Sequence, residues 1–417
     1  MKEILMGKRI VDFTLIFLIV YLFLYTFPFP FYYLPFGIGP KLSSIVNDFW
    51  SSMVFYFSDS FLGNPIEKVR NGSGDTSYDY AEFSIQLSIS FCISILIFCL
   101  KRIRFFLRKN KIYFFYYLRF YLGFILMGYA LSKIFYLQFW EPTLSDLIKP
   151  YGESSRMGVL WRFMGISEGY SIFAGLLQFF SGFFLLFNRL YKIGVIGSFG
   201  VLLNIVALNI FFDVPVKLFS LHLLLISLIL IIRDYKSYIS FFLSKPDSKT
   251  IFKKRSYRNS FLALKSIFIL YFLISGIDGR IKRQKRFGKR APSHVLYGVY
   301  HKINNSTKIM NITSNQSDTL NWKTMIMDKN STILIQENND KIFVKHDIDT
   351  IKNKLILTGK KQDFRLDFAY TVTDSTLTLS NEVYRDSLKL SFKRIKREDF
   401  PLMNFETNWI SKYPNNR

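Results

Sequence analysis

Two apolar runs decide the fold: Ile193-Gly-Val-Ile-Gly-Ser-Phe-Gly-Val-Leu-Leu-Asn-Ile-Val-Ala-Leu-Asn-Ile-Phe-Phe212 and Leu218-Phe-Ser-Leu-His-Leu-Leu-Leu-Ile-Ser-Leu-Ile-Leu-Ile-Ile232. Only Asp213-Val-Pro-Val-Lys217 separates them. Each run is close to the length a helix needs to cross bilayer hydrocarbon. Lipid leaves backbone polar groups no water to bond, so such runs must be helical. With Pro215 in the short connection, they read as a transmembrane hairpin.

Five further apolar stretches lie at 10–27, 83–100, 113–137, 169–187 and 260–277. The fold class is therefore a polytopic α-helical membrane protein of about seven crossings. The chain has 417 residues, 50% of them hydrophobic, and its 46 Phe exceed what a soluble chain of this size carries. The formal charge of +25 first suggests nucleic-acid binding. The basic residues argue against it. They gather where helices leave the membrane, at Lys101, Arg102, Arg104, Arg108, Lys109 and Lys111 and again at Lys249, Lys253, Lys254, Arg255 and Arg258. That is the pattern of cytoplasmic loops. The partner implied is the lipid bilayer, not nucleic acid.

Loop charge sets an orientation. The N-terminus, with Lys2, Lys8 and Arg9, is expected inside, as an uncleaved signal anchor. The net acidic loop 36–80 belongs outside, 101–112 inside and 138–167 outside. Arg189 and Lys192 mark an inner turn, 213–217 an outer turn, and 233–259 is basic and inside. The seventh crossing conflicts with this order, because Arg280, Lys282, Arg283, Lys285, Arg286, Lys289 and Arg290 then fall outside. Either the seventh segment fails to cross and the tail stays inside, or the tail is exported despite its basic neck. Early helices usually set orientation, so export is the expectation, on the outer face of a bacterial inner (plasma) membrane.

The tail, 291–417, alternates apolar and polar residues in short runs such as Phe364–Phe368 and Leu388–Phe392. Period-two alternation means half-buried strands. Six to eight of them with short turns predict a small all-β antiparallel barrel. Tyr297–Gly298–Val299–Tyr300 looks like the opening of lipocalin-type barrels, and Trp322, Tyr297 and Tyr300 are candidates for the barrel core. Four regions result: an N-terminal hairpin with an external loop, 1–111; a bundle, 112–233; a basic inner loop, final crossing and basic neck, 234–290; and the β-rich domain, 291–417. Sequons at Asn304, Asn305, Asn311, Asn315 and Asn330 read as chance matches in an Asn-rich chain, and the aromatic end 408–414 as a segment that docks on the barrel or the membrane.

The bundle carries Arg119 at a helix start, Gly128-Tyr-Ala-Leu-Ser-Lys133, Glu168-Gly169, Gly175, Gly182, and Leu185–Leu186 before Arg189. With the run Leu208–Leu218, this block resembles the DoxX family of bacterial membrane proteins. The resemblance covers roughly 30% of the chain by its core motif. It implies a four-helix bundle with short hairpins and, for a subset of the family, an extra helix and a β-rich tail. Some members are linked to thiosulfate or quinone oxidation, so a quinone is the one cofactor the resemblance suggests.

The residues themselves point to little chemistry. Cys92 and Cys99 are seven positions apart on one helix, about 10 Å and too far for a disulfide. No catalytic triad, metal-spaced His cluster or phosphate loop is present. Glu168, Asp213 and Lys217 should share the outer level, with Lys133 near it, and ionisable groups at membrane depth pair or face a cavity. His222 is the only His in the crossings, which excludes bis-His haem in the bundle. These five residues, Lys133, Glu168, Asp213, Lys217 and His222, form the candidate polar pocket, against the plainer reading of an ion-pair network. Gln178, Asn204 and Asn209 read as interhelical hydrogen-bonding groups. Gly175, Gly182, Gly194, Gly197 and Gly200 read as close helix contacts, and Arg119 as a residue snorkelling to headgroups. Segment 139–165, with Trp161, reads as a lid or a solvated cap. The expected role is non-catalytic: binding a small lipophilic or anionic ligand, or an envelope partner through the tail. A quinone-linked oxidoreductase subunit and a small-solute transporter are the alternatives.

Overall fold

The structure is a computed structural model, and it describes residues 2–62, 66–68, 74–243, 255–288, 290–303, 322–359, 365–381, 388–400 and 403. The sequons at Asn304, Asn305, Asn311 and Asn315, the basic residues Lys249, Lys253, Lys254 and Lys289, and the aromatic end lie outside the described residues. The chain divides into two compact units, 1–135 with 172–280, and 136–171 with 281–417.

Helices occupy all seven apolar stretches: α1 Lys2–Thr26, α3 Ser77–Cys99, α4 Lys101–Ile134, α7 Glu168–Leu185, α8 Tyr191–Phe211, α9 Lys217–Arg233 and α11 Arg255–Phe287. Five spans are long and apolar enough to cross a membrane: Arg9–Tyr33, Ser77–Cys99, Lys101–Ile134, Tyr191–Phe211 and Asn259–Arg286. Helices α7 and α9 have 18 and 17 residues, and extend about 27 and 26 Å at 1.5 Å per residue. These features are compatible with a membrane protein.

Helix also occupies stretches where loops were expected. α2, Ile38–Phe57, occupies the acidic first connection, with Trp50 and Val54 buried on one face. The basic connection 101–112 is the start of α4, which breaks from α3 only at Leu100. Between Lys101 and Leu122 there is neither Gly nor Pro, so nothing stops the helix. The basic neck is likewise the end of α11. A short helix, α10, Tyr235–Leu243, follows α9.

α4 is the hub of the first unit. Leu118, Leu122, Phe124, Leu126 and Met127 are fully buried, packed with Leu22, Leu185, Leu202, Ile226 and Phe272 from five other helices. The outward faces are no less apolar. α8 buries Val195, Leu202 and Val206 yet exposes Ile196, Leu203 and Ile210, and α9 exposes Leu221, Leu225 and Ile232. A helix apolar on all sides suits a lipid surround. Close approach replaces hydrophobic drive there. At the α4–α7 crossing, a Cβ on Gly123 would lie 2.9 Å from the Gly182 carbonyl oxygen, and one on Gly182 2.8 Å from that of Gly123. Gly175, Gly194 and Gly197 are similarly tight, whereas Gly200 faces open space.

Contacts sort the two ends of this unit. At one end, Gly74 N–H donates to the Pro215 carbonyl at 2.8 Å, and Asp75 accepts from the N–H groups of Lys217 and Leu218 at 2.7 and 3.0 Å. At the other, Arg108 pairs with Asp12 at 2.8 Å, Tyr191 donates to Asp234 at 2.9 Å, and Lys265 donates to the Leu186 carbonyl. Arg280 lies fifteen residues beyond Lys265, about 22 Å along the helix. It donates back to the Gly128 carbonyl at 2.7 Å, so α11 is held to the bundle at both levels.

The second unit contains a closed eight-stranded antiparallel barrel in simple up-and-down order: β1 Gly298–Lys302, β2 Trp322–Met327, β3 Thr332–Gln336, β4 Lys341–Asp349, β5 Lys354–Gly359, β6 Arg365–Val372, β7 Thr376–Asn381 and β8 Leu388–Ile395. β1 closes on β8 with Val299 opposite Ile395. Inward residues fill the interior, Tyr300, Trp322, Leu334, Leu357, Phe368 and Phe392 among them, as a barrel this small allows. β6 alternates strictly, burying Leu366, Phe368 and Tyr370. β2 does not, because Ile326 is also buried, outside the barrel.

Candidate functional site

What covers Ile326 is the segment between α4 and α7. Leu144, on the short helix α5 (Leu144–Leu147), is fully buried against Val299 and Ile326, with Leu147 and Ile148 packed alongside Tyr297, Ile333, Ile335 and Ile395. Tyr297, an expected core residue, therefore lies on the outer face of the barrel, while Tyr300 and Trp322 lie inside. Polar contacts reinforce the docking. Arg397 donates to the Pro142 carbonyl at 2.5 Å and the Tyr297 hydroxyl at 3.1 Å, and pairs with Glu141 at 3.4 Å. Segment 136–171 and the barrel are thus one body.

Local chemistry shapes that segment. Thr143 and Asp146 cap α5 reciprocally, and Ser155 accepts from Gly158 N–H to start α6, Arg156–Ile166. A Cβ at Gly165 would lie 2.2 Å from the Trp140 carbonyl oxygen, so α6 can approach 139–140 only with glycine there. Between α6 and residues 140–142 lies a cleft of about 290 Å³, lined by Trp140, Pro142, Asp146, Ser155, Trp161 and Arg162. Arg162 pairs with Asp146 at 3.3 Å, and its second terminal nitrogen is buried with no acceptor among the described residues. Two indoles, one ion pair and one spare donor suit a ligand with an apolar body and an acceptor group.

Of the five sequence-derived pocket residues, Asp213 and Lys217 are direct neighbours. Asp213 and Lys217 pair at 2.8 Å, with Asp75 4.0 Å from the Lys217 ammonium, an ion-pair network at one turn. Lys133 is 7% exposed and donates to Gln178 at 2.5 Å. His222 is bonded to the Tyr21 hydroxyl and, through Nδ1, to the Leu218 carbonyl at 2.6 Å, with its ring stacked on Tyr25 at 4.0 Å. Glu168 heads α7 in the barrel's unit, close enough for its charge to be felt at Tyr136. Asn209 donates to Ser220 at 3.0 Å, and Asn204 is exposed. Arg119 does not snorkel. It is buried and donates to the Leu185 carbonyl.

Sequence reasoning passed over a histidine pair in the barrel. His294 and His346 have ring centroids 4.7 Å apart, with His294 bonded to the Asp328 carbonyl and His346 Nδ1 to the Thr332 hydroxyl. Burial, with the neighbouring His294 adding to it, pushes His346 down to about 4. His294 is also held below the usual imidazole range by burial. The two are 52 positions apart in sequence, and folding of the tail brings them together.

The class defined so far is a chain with several membrane-compatible helices and an added closed β-barrel. It is similar to the uncharacterized protein YwoB of Bacillus subtilis (strain 168), 29% identical over 137 residues, which are 33% of this chain and 87% of that protein. No family model matches the sequence. No solved structure matches it.

Proposed function

We propose that the chain is a non-enzymatic, multi-pass protein of a bacterial inner membrane, with seven crossings that include a DoxX-like bundle. Its outer module, segment 136–171 with the barrel, binds a small ligand or an envelope partner. Loop charge supports the orientation. The end that joins residues 74–75 to 213–218 is the end expected outside, and the end rich in Arg108, Lys192, Arg233 and Lys265 is the one expected inside. Because α5 docks on the barrel, the side of segment 136–171 is the side of the tail.

The observation that carries the binding role is the cleft between Trp140 and Trp161. Its Arg162 nitrogen is buried and lacks an acceptor among the described residues, and a buried donor left unpaired costs about 1–3 kcal/mol. A ligand carboxylate, phosphate or carbonyl removes that penalty, and the indoles hold an apolar body. Mass spectrometry of the chain purified in mild detergent tests this. A small molecule should copurify with the parent chain and be lost from Arg162→Gln and Trp161→Ala. Equal retention in all three would remove the cleft from consideration. A bound quinone with an absorbance change on reduction would favour the oxidoreductase reading instead.

A further inference from the structure

At the basic end of the first unit, Arg119 is 4% exposed and Tyr238 is 8% exposed. The Arg119 guanidinium uses one nitrogen on the Leu185 carbonyl and a second on Asn188 Oδ1 at 2.9 Å. Its plane lies over the Tyr191 ring at 4.5 Å and near the Tyr116 ring at 5.2 Å. The remaining terminal nitrogen, Nη2, is buried with no acceptor among the described residues, and the Tyr238 hydroxyl is buried with no partner among them. The two side chains are close enough for the Arg119 charge to be felt at Tyr238, and a chain of contacts also runs between the two residues. Arg119 stacks on Tyr191, Tyr191 donates to Asp234 at 2.9 Å, and the Asp234 carbonyl accepts from Tyr238 N–H at 3.0 Å in the first turn of α10.

Charge is unbalanced there. Among the described residues no carboxylate pairs with Arg119, and Asp234 is held by Arg233 at 3.5 Å and by Tyr191. Lys265 reaches the next carbonyl of the same helix end, at Leu186. The negative end of α7 offsets part of this charge. Still, a buried guanidinium without a counter-anion, beside a buried hydroxyl without an acceptor, carries a desolvation cost that an oxyanion would remove. Charge-assisted bonds from Arg to phosphate are among the stronger ones available.

We infer that Arg119 and Tyr238 form a binding site for a phosphate group at the basic end of the bundle. Both groups donate to its oxygens, and Lys265 and Arg233 supply the surrounding positive field. The phosphate comes either from the headgroup of an anionic phospholipid or from solution.

The test uses the full chain and two probes. In mixed micelles of phosphatidylglycerol and phosphatidylcholine, native mass spectrometry reads which lipid stays bound. In lipid-free neutral detergent, the melting temperature is read with and without inorganic phosphate. Arg119→Gln and Tyr238→Phe should each weaken the effect about tenfold, the loss expected for one hydrogen bond to a charged group. Lys109→Gln, an exposed charge on the same helix, should not. Selective retention of phosphatidylglycerol, lost in both variants, assigns the site to lipid. Stabilisation by inorganic phosphate without lipid preference, lost in both variants, assigns it to the free anion. Equal behaviour of the parent and Tyr238→Phe with both probes overturns the proposal. That variant keeps the ring and its packing, so it remains decisive if Arg119→Gln fails to fold.

Discussion

His346 lies on the same face of β4 as the fully buried Val344, and the Thr332 hydroxyl beside it is its hydrogen-bond partner. Its pKa falls from 6.5 to about 4 on folding, so between those values the unfolded chain binds the proton and the native chain does not. Stability therefore rises with pH across that window and is flat above it. Denaturant titrations at pH 5 and pH 7.5 should find the second unit weaker at pH 5, and His346→Gln should narrow the gap. Asp75 is a second residue whose role was hidden. Its carboxylate caps α9 from 142 positions away. Asp75→Ala should cost about 1 kcal/mol, as a lost N-cap does, read as a lower melting temperature with the helical circular dichroism intact. Neither role was legible in the sequence, because each depends on a contact across long separation. Asp213 with Lys217 was legible, being one helix turn apart. Lys133 and His222 were legible as buried polar groups, but their partners Gln178 and Tyr21 were not.

Among elements, the apolar runs announced the five spans long and apolar enough to cross a membrane, since length and composition alone define them. Boundaries were less readable. The basic stretch 101–112 looked like a loop by charge, yet charge does not stop a helix, and α4 runs through it. α2 was missed because its apolar residues cover only one face, and the acidic residues around it suggested solvent. In the barrel, alternation located the strands. The exceptions, Val299, Ile326, Ile333 and Ile335, were the available sign that something covers the outer face of β1–β3. Leu144 is that cover. Leu144→Ala should cost about 2–5 kcal/mol and make segment 148–155 an early site of limited proteolysis, while barrel strands stay protected. At the α4–α7 crossing, Gly182→Leu has no room beside the Gly123 carbonyl. Overpacking there should cost about 1–3 kcal/mol, measured as a lower melting temperature in detergent.

For the whole molecule, the central claim is that the barrel and segment 136–171 form one body on the outer side of the membrane. The basic neck after Gly279 argues against that location, because Lys and Arg clusters usually stay inside. Part of that charge is tied down: Arg280 reaches the carbonyls of Gly128 and Gly276 rather than facing lipid headgroups. Cysteine accessibility tests the claim most directly. In a chain with Cys92 and Cys99 replaced by Ser, single cysteines go at Tyr151 and Ile351, which are 80% and 92% exposed, and at Lys109 on the basic end. A membrane-impermeant thiol reagent added to intact spheroplasts should label positions 151 and 351 and spare 109 until the cells are lysed. Labelling of 151 without 351, or of 109 before lysis, would contradict the account.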